Sequence, residues 1–110
     1  MGKQKADLLQ GTLDLLILKT LALEPMHGWG ITLRIQQISG DVLQVTPGSL
    51  YPALHRLEHQ GWISAKWGET DAGRKAKYYS LTRAGKHQLE REAEQFRRLA
   101  GAVTTLLDAV

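Results

Sequence analysis

Between Thr46 and Ile63 the chain reads TPGSLYPALHRLEHQGWI, a run dense in side chains able to do chemistry. His55 to His59 spells HRLEH, the H-x-x-E-H spacing in which two histidines four apart share a helix face and hold zinc beside a glutamate. A catalytic zinc also needs a third ligand and a cleft, and neither Glu24 nor Asp41 stands at a spacing that supplies one. Ser49 lacks a G-x-S-x-G surrounding, the glycines form no G-x-x-x-x-G-K-[ST] phosphate loop, and the chain holds no cysteine. No enzyme activity, metal or cofactor is therefore expected. The same side chains suit another task, polar contact with an anion. The hydroxyls of Thr46, Ser49 and Tyr51 suit phosphate, His55 suits groove contacts, and the Arg56 guanidinium can read guanine.

Such contacts need a helix to carry them. At about 100° per residue, Leu50, Ala53, Leu54 and Leu57 share one face, and Tyr51, Pro52, His55, Arg56 and His59 project on the other. The prolines are tolerable near a helix start. With Thr46 as N-cap, Pro47 falls at the first helical position, where a missing N–H costs nothing. With Ser49 as N-cap, Pro52 falls in the first turn. In a helix interior a proline costs ~3 kcal/mol. Gly61 suits the left-handed position that ends a helix.

Other elements must hold this helix. TLDLLILKTLALEP predicts a first helix capped by Thr12 and ended by Pro25, apolar almost all the way round and so buried on more than one side. A second helix starts near Gly28, with Ile31, Ile35 and Ile38 as its inner stripe, Gly40 as its stop and His27 as an end-of-helix contact or a partner for phosphate. DVLQV reads as a short extended piece. After Trp62 the period becomes two: Ile63, Ala65 and Trp67 alternate with polar residues, a polar turn follows, and AKYYSLT alternates again. This predicts a hairpin with a basic tip. Trp29, Trp62 and Trp67 could each line a ligand cleft or pack; Trp62 and Trp67 read more simply as hairpin packing, and Trp29 as a tether for the second helix. Thr82 caps a last helix along which Leu89, Ala93, Phe96, Ala100, Val103, Leu107 and Val110 recur at steps of 4, 3, 4, 3, 4 and 3. That spacing is a coiled-coil-like seam, favouring a helix-mediated dimer over a helix folded back on its own core.

The chain of 110 residues is one domain by length, with 43% hydrophobic and 23% charged residues and a net charge of +3. The first sixty residues balance in charge, whereas Gly61 to Gln88 carry six cations against two anions, a local excess of +4. A local excess points to an anionic partner meeting one surface rather than to a uniformly solvated shell. No apolar run approaches the ~18 residues of a membrane span, and MGKQKADLLQGTL has no signal-like h-region. A cytoplasmic protein is the expectation.

Three helices followed by a hairpin is the order of a winged helix-turn-helix, whose third helix enters the major groove while the hairpin touches the backbone beside it. The fold expected is mainly α (α+β), with a winged helix-turn-helix over residues 1–82 and a long C-terminal dimerisation helix over 83–110. The pieces HGWGITLRIQQISG, VTPGSLYPALHRLEHQGWISAKW and GRKAKYYSLTRAGK, from Leu13 to about Phe96, together resemble the PadR family of bacterial transcriptional regulators. The single last helix resembles its smaller subfamily.

The resemblance implies a homodimer built through the first and last helices, with Leu16, Leu89, Ala93, Phe96, Ala100, Val103 and Leu107 at the interface. It further implies binding to double-stranded DNA at a palindromic operator, repression of transcription, and release by a small aromatic effector. Ser49, Tyr51 and Pro52 would be recognition-helix contacts and Lys77 a wing contact. Arg74 and Lys75 join them on charge and position. Phe96 either lines an effector cleft or packs at the dimer interface, and packing is the simpler reading. The competing class is a winged-helix module that binds protein instead of DNA, against which the basic wing and the intact Tyr51 face both argue.

Overall fold

The computed structural model describes residues 10–110, so the expectation for the N-terminal stretch before Gln10 lies outside the described residues. Along the chain come α1 (Gln10–Leu23), β1 (Met26–His27), α2 (Gly28–Ile38), α3 (Pro47–His59), β2 (Ile63–Glu69), β3 (Lys75–Leu81) and α4 (Arg83–Leu107). The architecture is mainly helical with one small antiparallel sheet, a winged helix-turn-helix extended by a long final helix. No described helix is long and apolar enough to cross a membrane.

The core forms where the stripes of three helices meet. Leu13, Ile17, Leu18 and Leu21 of α1 pack with Ile31 and Ile35 of α2 and with Leu50, Ala53, Leu54 and Leu57 of α3. Each fully buried leucine or isoleucine stabilises the fold by roughly 1.5–3 kcal/mol. Ile63 and Tyr79 close the core from the sheet side.

Four expectations need correction. Thr12 lies inside α1, which already runs from Gln10. In DVLQV, Asp41 stands at positive φ and with Val42 belongs to the turn after α2, so the extended piece does not begin at Asp41, and Val45 enters the core from the loop. Ile38, third in the expected α2 stripe, is exposed because α2 ends there and the chain turns away at Gly40 and Asp41, both at positive φ. Finally, the sheet has three strands in the order β1-β3-β2, since Met26 and His27 pair with Tyr79 and Tyr78.

The hairpin register aligns Ile63 with Leu81, Ala65 with Tyr79 and Trp67 with Lys77. Directly paired residues share a face, so one face runs outward from buried Ile63 and Tyr79 to Trp67 and Lys77. At its inner end the hairpin is locked to the helices. Trp62 N–H donates to the Leu57 carbonyl (3.1 Å), Thr82 N–H donates to the Trp62 carbonyl (3.1 Å), and the Thr82 hydroxyl donates to the Gly61 carbonyl (2.7 Å). The same Thr82 oxygen caps α4 by accepting from Gly85 N–H at 3.0 Å.

Gly85 sits under the Trp62 carbonyl, and a Cβ there would collide with that backbone oxygen. Backbone cannot yield as a side-chain tip can, so Gly85→Ala is expected to destabilise the fold by about 2–3 kcal/mol. Thr82→Ala, which removes a cap, should cost about 1 kcal/mol. Thermal melts of the two variants check this order.

Candidate nucleic-acid interface

Thr46 is the N-cap of α3: its Oγ1 accepts from Ser49 N–H at 3.3 Å and its hydroxyl donates to Ser49 Oγ at 3.2 Å. Pro47 is then the first helical residue. Pro52 therefore lies inside the helix, beyond the first turn, and has no N–H to give the Gly48 carbonyl, so one bond of the ladder is missing. The leucine face is buried as the spacing requires, while Thr46, Ser49, Tyr51, Pro52 and His55 are exposed.

Arg56 departs from the outward face assigned to it. Its Nη2 lies 2.9 Å from Asp14 Oδ1, half-buried, and ties α3 to α1. Burial pushes the Asp14 carboxyl above the usual carboxylate range, against the opposing pull of the Arg56 charge and hydrogen bond. Among the described residues Arg56 Nε is buried with no hydrogen-bond partner, so the tie to Asp14 leaves one guanidinium N–H unsatisfied. Charge and helix angle alone could not reveal a partner 42 residues earlier.

The wing tip is an ordered turn. Thr70 N–H donates to the Arg74 carbonyl at 2.8 Å, Arg74 N–H donates to Thr70 Oγ1 at 3.2 Å, and Gly73 takes the positive φ of 80° that the turn needs. Arg74 and Lys75 are exposed on and beside it. Lys77 reaches back to α3, its Nζ 3.5 Å from Glu58 Oε1 and 5.8 Å from the Tyr79 ring centre. The glutamate of the HRLEH pattern is thus engaged with the wing.

Between α3, the start of α2 and the wing lies an open cleft of about 690 Å³. Tyr51, Arg74, Lys75 and Lys77 line it, which brings these four expected contact residues together. Thr46, Ser49, Pro52, His55 and Arg56 lie outside its wall. His27 also lines the cleft and caps α2, its Nδ1 accepting from Gly30 N–H at 3.0 Å.

Tyr51 lies across the first residue of α2. A Cβ on Gly28 would stand 2.8 Å from the Tyr51 hydroxyl and 3.1 Å from ring carbons, so only glycine leaves room for this pose. Two further cleft residues do not do what was expected of them: Trp67, expected to pack in the hairpin, is 68% exposed, and Trp29, expected to tether α2, is 63% exposed. Trp62 alone of the three tryptophans packs against the core. Alternation identified the face Trp67 occupies; it could not tell that the hairpin outruns the helices beneath it.

The seam residues divide along α4. Leu89, with Leu16 of α1, packs against the chain's own core, and Ala93 and Ala100 are half-buried. Phe96, Val103 and Leu107 are exposed, as are Leu99 and Leu106, which the strict seam spacing had passed over. Phe96 and Leu99 line a groove of about 400 Å³ against Gly11, Thr12 and Leu15 of α1.

Comparison with known proteins agrees with this geometry. Residues 17–91 match the Transcriptional regulator PadR-like family. A transcriptional regulator of Mycobacterium tuberculosis is 36% identical over 87 residues, covering 79% of this chain and 78% of that one. An uncharacterised 37.1 kDa transposon protein of Streptomyces fradiae is 42% identical over 90 residues, or 82% of this chain, which spans only 24% of that relative's length. The crystal structure of a PadR-like transcriptional regulator from Bacillus cereus superposes with a TM-score of 0.79 at 27% identity, covering 93% of this chain and 97% of that one. The matched segment runs from the core of α1 through the recognition helix and the wing into α4, and the chain belongs to the PadR-like family of transcriptional regulators.

Proposed function

We propose that the chain is a homodimeric repressor that binds a palindromic operator in double-stranded DNA in the cytoplasm. The observation that carries this reading is the shared cleft, where Tyr51 of α3 and the cations of the wing meet one surface. In this reading α3 enters the major groove with Thr46, Ser49, Tyr51, Pro52 and His55 outward, and Arg74, Lys75 and Lys77 meet phosphates beside it. Arg56 serves instead as the internal tie between α1 and α3.

Residues 1–82 form the DNA-binding part and 83–110 the dimerisation helix. The exposed apolar residues Phe96, Leu99, Val103, Leu106 and Leu107 give α4 a surface that a second copy of the chain would cover. A twofold dimer presents two recognition helices symmetrically, which is why its operator would be palindromic. Release by a small aromatic effector fits the groove at Phe96, which opens beside the proposed dimer seam.

A mobility-shift titration against the DNA upstream of the chain's own gene tests the central claim. Specific binding is expected, with affinity falling steeply as salt rises. Salt-insensitive binding, or none, would favour a protein-binding winged-helix module. Tyr51→Ala is expected to weaken operator binding while sedimentation still reports a dimer. Gly28→Ala should keep thermal stability within about 1 kcal/mol, since the displaced group is the end of a movable side chain. It should nevertheless lose operator affinity by pushing Tyr51 out of its pose. Charged residues at both Ala100 and Val103 should give monomers in sedimentation.

A further inference from the structure

Trp29 and Trp67 are unusual among the chain's large apolar side chains, because each is mostly exposed beside cations and at the mouth of the same cleft. A tryptophan left in water forgoes a large burial gain, since an indole can bury 150–250 Å². Trp67 also stands directly opposite Lys77, on the sheet face that leads out of the core towards α3. The Lys77–Glu58 pair lies on that face and joins it to the recognition helix. Trp29 occupies the second residue of α2, next to the glycine on which Tyr51 rests. The indoles thus belong to two elements that line one cleft with Tyr51, and that lining carries three cations, Arg74, Lys75 and Lys77, against one anion, Asp71, an excess that suits an anionic occupant.

We propose that Trp29 and Trp67 are DNA-contact residues that pack on the apolar deoxyribose faces of the duplex backbone and supply the salt-independent part of its affinity. This rests on the DNA-binding reading above. Phosphates flanking each sugar would meet Arg74, Lys75 and Lys77, while the sugar itself offers only C–H groups and a ring oxygen. An indole suits that surface as a lysine does not. The two kinds of contact respond differently to salt. Each phosphate neutralised by a cation releases counterions and adds to the slope of log affinity against log salt, by about 0.9 per phosphate on B-DNA. A sugar–indole contact releases none and leaves the slope alone.

The test is fluorescence anisotropy of a labelled 30-base-pair duplex, carrying the sequence the parent chain selects from a randomised pool, titrated across a range of salt. Trp67→Ala and Trp29→Ala are each expected to lower affinity about tenfold at every salt concentration, with the slope unchanged. Arg74→Ala is expected to reduce the slope by about one. Parent-like affinity in both tryptophan variants overturns the proposal while leaving DNA binding intact, and so does a changed slope in either. Failure of the parent chain to select or bind any duplex overturns the DNA reading itself and this proposal with it. Acrylamide quenching of the parent's tryptophan fluorescence gives a readout free of any folding defect in the variants. Saturating duplex should shield the two exposed indoles and lower the quenching; unchanged quenching counts against the contact.

Discussion

The carbonyl of Trp62 is the point on which the geometry of the site depends. It follows the left-handed turn at Gly61 that ends α3, it accepts the Thr82 amide at the base of the wing, and it sits against Gly85 in the first turn of α4. The backbone of one residue therefore joins three elements: the Trp62 N–H holds the end of the recognition helix, and its carbonyl holds the root of the hairpin and the first turn of the last helix. The wing's reach beside α3 follows from this joint together with the strand register, and so does the line along which α4 leaves. Bringing three elements to one residue requires close backbone approach, which is why no side chain is tolerated at Gly85.

A second tie works at a longer range. Asp14 and Arg56 join the first helix to the recognition helix through a half-buried ion pair that is costly to break from one side, because each partner would leave the other charged and poorly solvated. In the proposed dimer this tie would hold the recognition helix to a helix at the partner-facing side. Half-site spacing would then be a property of rigid packing rather than of a flexible hinge.

Much of this was legible in the residues. Leucines at helical spacing located α3 and its buried face, Gly61 its end, and the change to period two the hairpin. Thr82 announced α4. What escaped notice had particular physical causes. β1 is two residues long, too short to show any alternation, and exists only because β3 has an edge for it to pair with. Arg56 looked outward because helix angle ignores what a long side chain can reach across the fold. Trp29 and Trp67 were misjudged because periodicity tells which face a residue occupies and nothing about whether another element covers it. Pro52 was legible as an anomaly, but its true setting needed the cap to be settled at Thr46.

Lys77 enters any encounter with an anion already accompanied. Glu58 holds its ammonium at 3.5 Å from a carboxylate oxygen, so the recognition helix carries a built-in counter-ion for the wing. A free lysine must lose rotamer freedom when it meets a phosphate; this one has already been ordered by its neighbour. The exchange has an opposing side, because the carboxylate remains nearby and repels the incoming charge. The pair therefore trades part of one lysine's long-range attraction for orientation, while Arg74 and Lys75, exposed at the tip, keep the wing's general electrostatic grip.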